Sequence, residues 1–290
     1  MRDTIIFSGQ SNTFGLGLEW ELDPELNSEE YLSKGIILPN HMLRHERNQQ
    51  YWRKYRWPKL VCDALGYKEY NVHDKENGAI MGGGAADTLW HILDRYEHLI
   101  HILDKTKYLV LEIGFQRWWD ESLHGQPGGD KLPNTPIEIE NYLNSKNPNI
   151  EVVTKAIDWI GRNDQKYFWK QTFNKVKLFS EKFPEIKIVL VPWSGASGNN
   201  GIRDFENYDD LTKFVSNCFV DIENYPCIHE LLFKEKLMVL HKAKAFNGNY
   251  KYNYADNHAS IEGHRRVAEL VIKHIKKLEN EKEKDMVVFG

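Results

Sequence analysis

Apolar residues gather in short runs that end on glycine or proline. Thr4 to Ser8 reads TIIFS and stops at Gly9. A run of that length, apolar at consecutive positions, predicts a strand buried on both faces. Glu69 to His73 predicts a second strand. Tyr108 to Ile113 (YLVLEI, closed by Gly114) predicts a third, and Lys187 to Val191 (KIVLV, ended by Pro192) a fourth. Cys218 to Ile222 is a candidate fifth. Between these runs the spacing turns helical. Pro58 to Leu65 has proline in its first turn and Gly66 as its stop. Ala85 to Leu103 and Lys166 to Phe183 are amphipathic. Ser260 to Lys277 opens on a good N-cap and sets Val267, Leu270, Val271 and Ile275 on one face. Residues 205 to 250 mix helical patterns, and Gly125 to Asn149 is rich in turn formers.

Strands alternating with helices predict a parallel sheet covered on both faces. The expected architecture is a flavodoxin-like, doubly wound, three-layer α/β/α domain over residues 1–278. A long insertion or lid covers about 16–57, and residues 279–290 form a charged tail. Ligands in such sheets bind at the carboxyl ends of the strands. Gly9, Gly82 to Gly84 and Gly114 all fall there.

Composition narrows the function. The chain has 290 residues, 41% of them hydrophobic, which suffices for a sizeable core. Its 38 basic and 42 acidic residues leave a net charge of -4, which selects neither nucleic acid nor an anionic membrane. No window approaches the ~18 apolar residues of a membrane span. The N-terminus lacks a signal-peptide pattern, so a cytoplasmic location is expected. Cys62, Cys218 and Cys227 are too few and too scattered for a disulfide framework or a zinc pattern.

Two segments carry candidate chemistry. Ser11 stands three residues past the first strand, in FSGQSNTFG, where a crevice would expose it. The competing reading is a simple serine turn or cap. Near the other end stands Asp256-Asn257-His258-Ala259-Ser260, followed by Gly263-His264. A serine hydroxyl needs a base to take its proton, and a carboxylate to orient that base. One loop before the capped helix is expected to present both Asp256 and His258. The competing reading makes Asp256 a turn residue and leaves either histidine on a helix face.

Together these segments resemble the SGNH/GDSL hydrolase superfamily. Gly9-Gln10-Ser11-Asn12 takes the place of its first block, in a form similar to that of some carbohydrate O-acetylesterases. Asp256-Asn257-His258 with Gly263-His264 takes the place of its last, with Ala259 where proline is common. The resemblance implies a serine esterase acting on carboxylic esters, carbohydrate O-acetyl esters included, through an acyl-enzyme. Ser11 is then the nucleophile, and His258 and Asp256 are its activating pair. The backbone N–H groups of Ser11 and Gly83, with the Gln116 side chain, form the oxyanion hole. Gly84 is a shifted alternative to Gly83. Gln116 departs from the family's asparagine by one methylene. A literal Gly-x-Asn-Asp occurs at Gly161 to Asp164, but it opens a helix rather than following a strand, so Asn163 is the weaker candidate. The resemblance implies no cofactor.

Other signals count for less. His91, His98 and His101 share one side of a helix but lack a carboxylate or cysteine partner, so no metal is expected. Ser194 and Ser197 miss the nucleophile-elbow spacing. Arg44, Arg47, Arg53, Lys54 and Arg56 interleave with Tyr51, Trp52, Tyr55 and Trp57. Such a stretch either stacks sugars or bases, or caps the domain as a lid whose aromatics plug into it. Two other classes compete with an esterase: a non-catalytic binding or structural module, such as a phage-associated protein, and a nucleotide binder. The second lacks both GxGxxG and a Walker lysine.

Overall fold

The computed structural model describes residues 2–9, 13, 15, 18–22, 51–72, 100–113, 164–193, 217–225, 227–243 and 252–288. Within residues 19–20, 164–172, 240–243, 252–257 and 281–288 only the backbone is described. Four strands form a parallel sheet: β1 (Thr4–Ser8), β2 (Lys68–Asn71), β3 (Thr106–Ile113) and β4 (Lys187–Pro192), in the order β2-β1-β3-β4. The chain steps from β1 to one side, then returns to β1's other side for β3. The topological switch point therefore lies between the carboxyl ends of β1 and β3. The expected fifth strand is present only as a parallel bridge between Leu190 and Phe219, supported by the Val220 N–H donating to the Leu190 carbonyl at 2.9 Å.

Alternation along the strands divides the core into two layers. Ile5, Phe7, Tyr108, Val110, Val189 and Val191 face one way. Ile6, Leu109, Leu111, Ile188 and Leu190 face the other. Helix α1 (Leu18–Leu22) follows β1, and α2 (Trp57–Leu65) precedes β2. The first layer packs on α2, on α5 (Ile228–Lys234) and on α6 (Ile261–Val288). The second packs on α3 (Ile100–Leu103) and α4 (Asp164–Lys182). Both faces are thus covered, as near-continuous apolar strands require.

Helix α2 follows its sequence signals closely. Pro58 stands in its first turn, and Gly66 ends it at φ 75°, where a side chain would be strained. Trp57 is fully buried and meets Phe7 edge to face, ring centroids 5.3 Å apart. Such aromatic pairs are worth ~0.5–1.5 kcal/mol beyond their burial. Trp52 and the Arg56 side chain are buried too, whereas Tyr51 is exposed. Trp52 and Trp57, at the described end of the 16–57 insertion, are therefore seated in the core beside Arg56, which pairs with Glu69 of β2 at 2.7 Å.

Two further expectations are corrected. Residues 205 to 250 contain a strand, β5 (Met238–Ala243), which pairs antiparallel with β6 (Tyr252–Ala259). Asp256 and His258 thus stand on a strand, not in a loop. The hairpin is no separate domain, because Met238 and Ala259 share the first core layer. The tail from 279 is the continuation of α6 to Val288. Glu279 accepts hydrogen bonds from Lys107 Nζ at 2.7 Å and from the Tyr67 and Tyr108 hydroxyls at 3.0 Å, which ties this helix to the amino-terminal edge of the sheet. Asp164 is the first described residue of α4, so the helix-start reading of Gly161 to Asp164 falls mostly outside the described residues. Asn163 itself lies outside the described residues.

Candidate active site

The carboxyl ends of β1, β2 and β3 carry buried polar groups. Ser8, Asn71 and Glu112 are buried there, and so is Thr13, beyond β1. Register sets Ser8 beside Leu111, which puts Gly9 next to Glu112. The Thr13 N–H donates to Glu112 Oε2 at 2.9 Å, and the Thr13 hydroxyl donates to the same oxygen. Asn71 Nδ2 donates to the Thr13 carbonyl at 2.9 Å. All three polar groups of Thr13 are thereby held by the ends of β2 and β3, the two strands that flank β1. Gly9 fits because it has no side chain: a Cβ there would come within 2.4 Å of the Glu112 Cβ.

The other sequence-predicted residues stand at the entry to α6. Met238 pairs with Ala259 and Leu240 with Ala255, so Val239 alone faces Asp256, Asn257 and His258. This bulge breaks the ladder at the residues singled out in the sequence, and bulges commonly re-aim side chains near functional sites. His258 is half-buried, and the Asp256 side chain lies outside the described residues. The turn that follows is held by hydrogen bonds. Ser260 accepts from the Gly263 N–H at 3.0 Å, and both its N–H and its hydroxyl donate to the Leu237 carbonyl, at 2.9 and 2.7 Å. A Cβ on Gly263 would fall 2.3 Å from that carbonyl oxygen, so glycine is required for the helix to approach β5. The Ile261 N–H donates to Glu21 of α1 at 2.6 Å, which ties the start of α6 to the helix that follows the Ser11 segment.

His264 has a structural place. It is fully buried, and its Nδ1 accepts from the Trp57 N–H at 3.3 Å, at the start of α2. Ser11, Gly83, Gly84 and Gln116 lie outside the described residues, as do Ser194, Ser197, His91 and His98. His101 is exposed, its ring edge-on to Tyr70. No group of metal-ligating side chains occurs among the described residues, and no helix there is long and apolar enough to cross a membrane. The three cysteines are buried and outside any disulfide, and burial pushes every thiol up, Cys218 to about 12. Such thiols do not supply a thiolate near neutral pH.

Sequence reasoning passed over Thr13, Asn71 and Glu112. The available signal was the glutamate in YLVLEI, an acidic residue near the end of a strand otherwise apolar enough to be buried. No family model, curated protein or solved structure matches this chain.

Proposed function

We propose that the chain is a serine ester hydrolase of the SGNH type, acting on carboxylic esters such as O-acetylated carbohydrate. Ser11 attacks the ester carbonyl while His258 takes its proton and Asp256 orients the imidazole. The N–H groups of Ser11 and Gly83, with the Gln116 amide, hold the oxyanion. Water then releases the acyl group. On this reading the parallel sheet is the flavodoxin-like sheet of that superfamily.

The observation that carries the reading is the polar knot at the switch point. Gly9 and Thr13, which flank Gln10-Ser11-Asn12 in the chain, are both held against Glu112 at the edge where α/β sheets bind ligands. The link from α1 to the start of α6 adds support, because it joins the chain beyond Ser11 to the turn that follows His258. The test is hydrolysis of a generic acetyl ester together with covalent labelling by a serine-directed phosphonate. Ser11→Ala should abolish both and leave the urea midpoint unchanged. Comparable turnover in the purified variant would remove Ser11 from the mechanism, and an inert wild-type chain would make it a binding module.

A further inference from the structure

We infer that Glu112 is a positioning residue for the nucleophile, acting through Thr13. The inference rests on the proposed esterase reading. A nucleophile on a short connection attacks productively only if its backbone is held in place, since small misplacements are costly in rate. A single buried carboxylate oxygen, Glu112 Oε2, receives both the N–H and the hydroxyl of Thr13, two residues past Ser11. Gly9, two residues before Ser11, lies against the same side chain. Glu112 therefore grips the nucleophile segment from both ends. Asn71 holds the remaining polar group of Thr13 from the opposite strand.

Glu112 sits on β3 with its carboxyl bonded to Thr13, in the layer that holds Tyr108 and Val110. Those two residues pack into apolar core, and an aliphatic side chain at 112 would extend it. A carboxyl in that place costs desolvation unless hydrogen bonds repay it. The two Thr13 bonds to Oε2 offset part of that cost, and they convert a core position into an anchor. The role asked of Glu112 is that of an acceptor, not of a proton carrier. A glutamine keeps an acceptor oxygen on nearly the same stem, so it should replace Glu112 where alanine does not.

The experiment uses the full chain and three variants: Thr13→Val, Glu112→Gln and Glu112→Ala. The readouts are the rate of phosphonate labelling at Ser11, kcat and KM for an acetyl ester, the pH profile of kcat/KM, and the urea midpoint. Thr13→Val should slow labelling and kcat about tenfold with KM within about twofold, the signature of lost alignment rather than lost binding. Glu112→Ala should slow them at least as much. Glu112→Gln should stay within about threefold of wild type, with an unchanged pH profile. If Glu112→Ala does not fold, Thr13→Val and Glu112→Gln still decide the matter. A labelled wild type with Thr13→Val labelled equally fast overturns the inference and leaves the esterase reading standing. A shifted pH profile in Glu112→Gln also overturns it, because Glu112 would then act by its charge. A wild type that takes no phosphonate at Ser11 overturns both.

Discussion

Gly9→Ala is the most informative single change to the fold, because its cost follows from positions already fixed by the sheet. The added methyl would lie 2.4 Å from the Glu112 Cβ, 2.2 Å from the Thr13 Oγ1 and 2.7 Å from Glu112 Oε2. The Glu112 Cβ is attached to the β3 backbone, so no rotamer change moves it away. Ordinary carbon contact begins about 1 Å farther out, and β1 and β3 are hydrogen-bonded neighbours that cannot open by that much without losing their ladder. Overpacking of this kind costs about 1–3 kcal/mol. Displacing Thr13 from Glu112 adds roughly one further hydrogen bond, about 1 kcal/mol. The expected loss is therefore about 2–4 kcal/mol, read as a lower urea midpoint at unchanged slope. Gly66→Ala is the matched control. Nothing lies within 4 Å of a Cβ there, and only its φ of 75° resists substitution. It should cost about 1 kcal/mol. A Gly9→Ala variant within about 0.5 kcal/mol of wild type would refute the packing argument. So would a Gly66→Ala variant that is the less stable of the two.

Ser260→Ala removes both the cap on the Gly263 N–H and the hydroxyl bond to Leu237, and should lower stability by about 1 kcal/mol. Ser260→Thr should recover most of that in the same urea titration, and equal midpoints for all three chains would refute the capping role. For Glu279, burial raises the carboxyl, but hydrogen bonds from Lys107, Tyr67 and Tyr108 outweigh it and hold the group below its usual 4.5. A depressed folded pKa means that the contribution is complete above that value and is lost as pH falls below it. Glu279→Gln should therefore cost roughly 0.5–1 kcal/mol at neutral pH, allowing for solvent screening at a third-exposed pair. The difference from wild type should shrink below about pH 4.5. A difference that grew toward acid would contradict the assignment.

Strands β1, β3 and β4 were legible because burial on both faces leaves a nearly unbroken apolar run. TIIFS, YLVLEI and KIVLV could serve no other purpose in a chain with this punctuation, and each is a strand to within two residues. Helix α2 was legible from Pro58 and Gly66, and the start of α6 from Ser260, since capping and φ constraints act within one turn of chain. The antiparallel hairpin was not. Pairing of β5 with β6 is stabilised by a partner strand and a shared core, neither of which leaves a periodic mark in NYADNHA.

The same division applies to the candidate site. Ser11, Asp256 and His258 drew attention through residue type and order alone, which local sequence carries. Tertiary structure decided three other things: that Asp256 to His258 fall in a bulge opposite Val239, that His264 accepts from the Trp57 backbone, and that Thr13 is held by Glu112 and Asn71. Each of these joins residues from distant parts of the chain. A buried polar group takes whichever partner the packing brings within 3 Å or so, and that choice is made only when the sheet closes.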